Sequence, residues 1–150
     1  MKIKNIITIA LLLFVALSIV TLFKKEAASE KPLIIDSNTK AIVYYFHGNM
    51  RCKKCKTIET LSQKAIKEKF PKKLENKEMV FQVVNVEKPS NEHFVKEYEL
   101  STRTVVVSLL DNGVESNWKR LDRVWDLTGD EQAFIKYVQD ETRSFMEDAN

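Results

Sequence analysis

Glycine and proline are scarce in this 150-residue chain, at three each, and cysteine is scarcer still, at two. So little glycine and proline, beside 44% hydrophobic residues, excludes a collagen-like or disordered chain. Two cysteines three positions apart, Cys52 and Cys55, cannot staple distant parts of a fold. The domain must therefore stand on its hydrophobic core, and the pair is free for redox or metal chemistry. An excess of one charge sign is also missing. Apart from Lys2 and Lys4, residues 24–150 carry 22 basic and 21 acidic side chains, well mixed, so nothing points to nucleic acid as a partner. Internal repeats and low-complexity tracts are absent.

A long uncharged run is present. Ile6 to Phe23 spans 18 residues between Lys2/Lys4 and Lys24-Lys25-Glu26. A secretory core is usually about 7–15 residues, whereas about 18 or more reads as a membrane span. Residues 1–23 are thus expected to be an N-terminal anchor in contact with the membrane through residues 6–23. A cleaved signal peptide is the alternative, although Ala27-Ala28-Ser29 follows charges that suit cleavage poorly. The flanking lysines do not favour export by count. A short N-terminal tail ahead of a large domain nevertheless predicts a single pass through the cytoplasmic (inner) membrane, with the domain on the periplasmic or extracytoplasmic side.

Residues 24–39 read as a tether, and 40–150 as an α/β domain. Ala41 to Phe46 reads as a buried strand. His47 to Arg51 breaks it, and a helix is expected from about Cys52 to Phe70, with Ile58, Leu61, Ala65 and Ile66 inward and Pro71 as the stop. Glu78 to Val86 predicts a second strand too apolar to be half exposed. A short helix follows Pro89-Ser90, with Phe94 and Tyr98 on one face. Thr104 to Leu110 predicts a third strand, Asp111-Asn112-Gly113 a hairpin turn, and Val114, Trp118 and their neighbours a fourth strand. Thr128-x-x-Glu131 suggests a capping box opening a last helix, with Phe134, Ile135, Val138 and Phe145 inward. The order β-α-β-α-β-β-α implies a four-stranded mixed sheet with helices on both faces. Tyr44, Tyr45 and Phe46 read as sheet core, Trp118 and Trp125 as core or rim aromatics.

A Cys-x-x-Cys just after the first strand of a βαβ unit is the thioredoxin-type arrangement. At a helix N-terminus the first sulfur meets unpaired N–H groups and the positive end of the helix dipole, and both stabilise a thiolate. Arg51, Lys53, Lys54 and Lys56 add four cations, and no carboxylate intervenes before Glu59. Comparable settings bring a cysteine from about 8.5 to roughly 3.5–7.5. Cys52 is then the attacking thiol and Cys55 the shielded resolving one, and the chemistry calls for no bound cofactor. A four-ligand zinc site would need both cysteines with His47 and His93. Cys52 and Cys55 could also ligate a metal, cluster or arsenite together with a partner, or simply be adjacent in a helix. His47 could carry a proton, or pack and cap as loop histidines commonly do.

The run Tyr44-Tyr45-Phe46-His47, followed by Arg51-Cys52-x-x-Cys55-x-x-Ile58-Glu59, resembles a thioredoxin-like domain. Residues 41–140 are more specifically similar to a bacterial family, the small thioredoxin-like subunit that accompanies nitrophenyl compound nitroreductases (the ArsF family). Val83-Val84-Asn85-Val86, Asn91-x-His93-Phe94-Val95, Thr104-Val105-Val106-Val107-Ser108, Trp118-Lys119-x-Leu121-Asp122-x-Val124-Trp125 and Phe134-Ile135-x-Tyr137-Val138-Gln139 carry that likeness. It implies a place beside membrane redox partners, in handling aromatic nitro compounds or organoarsenicals. The chain departs from ordinary thioredoxins, which carry Trp before the first cysteine and Gly-Pro between the two. Their cis-proline facing the dithiol is replaced near Arg103-Thr104, the residues expected to form the substrate-facing loop. The buried acid of their first strand has no counterpart, since Tyr45-Phe46 stand there. Ligand binding at the thiols becomes more plausible as a result, and a dedicated partner fits better than general disulfide reduction. A third possibility is an interaction subunit with dispensable thiols.

Overall fold

The computed structural model describes residues 35–149, which fall in one compact unit, Leu33–Asn150. The expected anchor, residues 1–23, and most of the tether lie outside the described residues. Among the described residues no helix is long and apolar enough to cross a membrane.

Four strands form one sheet in the order β2-β1-β3-β4: β1 Ala41–His47, β2 Met79–Asn85, β3 Thr104–Asp111 and β4 Val114–Leu121. β1 runs parallel to β2 and antiparallel to β3, and β3 runs antiparallel to β4. The helices are α1 (Lys53–Lys69), α2 (Pro71–Glu75), α3 (His93–Glu97) and α4 (Glu131–Asp148), with a 3₁₀ turn at Asp122–Val124. This connectivity and strand order make a thioredoxin-like fold.

Alternation along β1 sets the two layers. Ala41, Val43 and Tyr45 face Ile58, Leu61, Ala65 and Ile66 of α1 and Phe134, Val138 and Phe145 of α4. Ile42, Tyr44 and Phe46 face the other way, into an aromatic layer with Phe94, Tyr98 and Trp118. All seven residues of β1 are buried, as its continuous apolar run requires of a central strand. β2 differs from expectation: Val80, Phe81 and Val83 are half-buried because β2 is an edge strand. The hairpin turns through Asn112 (φ 52°) and Gly113 (φ 79°), the left-handed pair of a type I′ turn.

Two helix boundaries differ from the sequence reading. Pro71 ends α1 but also opens α2 at its first turn, where a missing N–H removes nothing. α4 is capped by Asp130, whose carboxylate accepts from the Ala133 N–H at 2.9 Å. Thr128 instead donates to the Trp125 carbonyl (3.0 Å), so the capping box beginning at Thr128 does not form. At the opposite end of the sheet, Asp36 to Thr39 form a turn that docks through Thr39 Oγ1 on the Lys77 carbonyl (2.9 Å).

Candidate functional site: a dithiol at a helix N-terminus

β1 delivers the chain to the site. After His47 the segment Gly48–Arg51 turns over the end of the sheet, and Cys52 becomes the N-cap of α1 in extended conformation (φ −69°, ψ 164°). Its Sγ accepts from the Cys55 N–H at 3.1 Å, the role a serine or aspartate oxygen plays at an ordinary cap. Cys52 is exposed, whereas Cys55 is 2% exposed. The two are disulfide-bonded, with Cα atoms 5.0 Å apart. One sulfur thus faces solvent at the positive end of a 17-residue helix, and the other lies beneath it.

Below the pair stands Tyr45. Its fully buried side chain donates from Oη to the Cys55 carbonyl at 2.7 Å. Burial pushes the phenol above its ordinary range, and the charges of Arg51 and Arg103 partly offset that.

The cations do not act alike. Arg51 is ion-paired to Glu59, two turns along α1, and its Nη1 lies 3.4 Å from His47 Nε2. Lys53, Lys54 and Lys56 are exposed, and none is ion-paired among the described residues. The uncompensated charge around Cys52 is therefore lysine charge. His47 is the last residue of β1 rather than a loop residue, and it is buried. Its Nδ1 lies 2.9 Å from the Gly48 carbonyl and its Nε2 faces the Arg51 guanidinium. That arrangement braces Arg51.

Arg103 leads into β3, and Thr104 is its first residue. Thr104 is buried opposite Phe46, and its hydroxyl donates to the Leu121 carbonyl (3.2 Å), so that oxygen serves the sheet. No cis peptide bond occurs among the described residues. Arg103 Nη2 lies 3.5 Å from Glu87, whose other oxygen accepts the Asn49 N–H at 2.8 Å. Asn85 joins the same knot by donating to Asn49 Oδ1 at 2.8 Å. Neither Glu87 nor Asn85 is given a site role by the sequence reading. Asn85 ends β2, the strand parallel to β1, and Glu87 follows it, so both loops leave the sheet at the same end, where sites on parallel strands gather. That placement was the signal available.

Trp125 closes the other side. Its indole N–H donates to the Arg103 carbonyl (2.5 Å), fixing the ring beside the start of α1. Between them lies an open groove of about 610 Å³ lined by Lys53, Lys54, Thr57, Trp125, Asp126, Thr128 and Gly129. The residues of a four-ligand zinc site are not brought together. His47 is engaged as described, and His93 lies on α3 against Phe94, with Nε2 3.9 Å from Glu97. Among the described residues no group of three or more His, Cys, Asp or Glu could hold a metal ion.

No protein-family model matches this chain, and no curated protein matches it. Among solved structures it is similar to oxidised thioredoxin O2 from Arabidopsis thaliana, at 14% identity. The likeness covers 67% of this chain and 80% of that one, with a TM-score of 0.40.

Proposed function

We propose that this protein is a membrane-anchored thiol–disulfide exchange protein serving a dedicated redox partner. The supporting observation is the asymmetry of the pair: an exposed N-cap sulfur holding a helix amide, with its partner sulfur buried beneath it. In the reduced state the Cys52 thiolate attacks one sulfur of a partner disulfide, forming a mixed disulfide and expelling a partner thiolate. Cys55 then attacks Cys52 Sγ, closing the Cys52–Cys55 disulfide and releasing the second partner thiolate. Two electrons pass to the partner, and a second dithiol restores the reduced pair by the reverse steps. The uncompensated lysines and the helix amides stabilise the thiolate needed for the first attack.

The resemblance to the ArsF family supports a subunit of a nitroaromatic- or organoarsenical-reducing system in the cytoplasmic membrane, held by residues 6–23 with the domain outside. A Cys55→Ser chain expressed in cells should accumulate a mixed disulfide with its partner, released by reductant. Absence of any adduct while wild type remains active would sink the exchange mechanism. Full-length protein purified reduced and without oxygen that carried stoichiometric zinc, iron or arsenic would assign Cys52 and Cys55 a ligand role instead.

A further inference from the structure

Resting on the exchange reading, we infer that the groove beside Cys52 docks an acidic polypeptide segment of the partner, with carboxylates flanking its cystine and an apolar side chain against Trp125. The groove starts one residue from the attacking sulfur, because Lys53 is part of its wall. A second depression of about 290 Å³, lined by Lys53, Lys56, Thr57, Thr60 and Leu61, continues the surface along α1. The two share Lys53 and Thr57, so together they form a track longer than a small anion requires.

Charge selects the occupant. Three lysines line the track, and none is ion-paired among the described residues; the one carboxylate lining it is Asp126. The neighbouring cations are already engaged, Arg51 by Glu59, Lys64 by Glu131 and Arg103 by Glu87. Nucleic acid is a poor candidate because the domain carries balanced charge with no basic stripe. Trp125, held by the Arg103 carbonyl, supplies a rigid apolar wall at low entropic cost to a bound chain.

The full chain, reduced and in nonionic detergent, can be given three disulfides. These are a cystine peptide flanked by glutamates, the same peptide flanked by lysines, and small uncharged hydroxyethyl disulfide. At low ionic strength the glutamate peptide should react about tenfold faster than the lysine peptide, an advantage that shrinks as salt screens the charges. Asp126→Asn should widen the ratio of glutamate-peptide rate to hydroxyethyl disulfide rate, and Lys56→Glu should narrow it. Normal reaction with hydroxyethyl disulfide but equal rates for both peptides overturns the docking inference and leaves the exchange reading standing. Reaction with none of the three refutes the exchange reading. Docking is then read from the anisotropy of a fluorescent glutamate peptide lacking cysteine: binding weakened by Lys54→Gln supports it, and no binding overturns it.

Discussion

Removing a single oxygen from Tyr45 separates two roles that the phenol combines. Tyr45→Phe keeps the ring, and hence the packing under α1, and deletes only the 2.7 Å hydrogen bond to the Cys55 carbonyl. A buried hydrogen bond contributes about 0.5–1.5 kcal/mol, and an acceptor left dry adds to the loss, so about 1–2 kcal/mol is expected for the reduced protein. For a domain of this size that lowers Tm by roughly 3–6 °C. In the oxidised protein the disulfide already fixes Cys55 relative to Cys52, so the loss there should be smaller. The difference is linked to redox chemistry. If the reduced form loses about 1 kcal/mol more than the oxidised form, the reduction potential falls by about 20 mV. Denaturant titrations of both oxidation states, with the potential measured against glutathione, test this. Equal losses in the two states, or no change in potential, would refute the coupling between Tyr45 and the dithiol.

Cap assignment at α4 is testable by contrast: Asp130→Ala should cost about 1 kcal/mol in chemical denaturation and Thr128→Ala less, because only Asp130 bonds the Ala133 amide. Gly48→Ala places a Cβ on the Glu87 carboxylate and within 2.9 Å of Arg103 Nη2. Since both are flexible side-chain ends, stability should fall by only about 1 kcal/mol or less, while amide exchange at Asn49 rises as its Glu87 partner is displaced. Burial raises the phenols of Tyr44 (to about 12), Tyr45, Tyr98 and Tyr137 above their ordinary value in the folded protein. Folding therefore disfavours their ionisation: stability should be intact below about pH 10 and decline as pH rises toward 12, and a flat alkaline profile would contradict those burials.

The strands and long helices were legible because each carries a local signature that tertiary structure did not override. β1 shows a run with no polar position, the hairpin an Asn-Gly pair, α1 an apolar stripe. What remained hidden depended on neighbours. Apolar content cannot distinguish a central strand from an edge strand, so β2 read as fully buried. Thr128 and Asp130 are both competent caps, and the turn that ties Thr128 to Trp125 decided between them. At the site, Cys52 and Cys55 declare themselves by spacing. The knot around Glu87 does not, because it forms only when loops distant in sequence meet, and the pairing of Arg51 with Glu59 depends on Arg51 turning back along α1.

The disulfide spans three positions, within the first turn of α1. A cross-link restrains the unfolded chain more as the ring it closes grows, about 4.7 kcal/mol for a hundred residues but only about 2 kcal/mol for so small a ring. Opening the bond therefore leaves the scaffold standing, upheld by the two apolar layers that flank the sheet. Cycling of the pair between disulfide and dithiol, as the proposed exchange requires, would not put the architecture at stake.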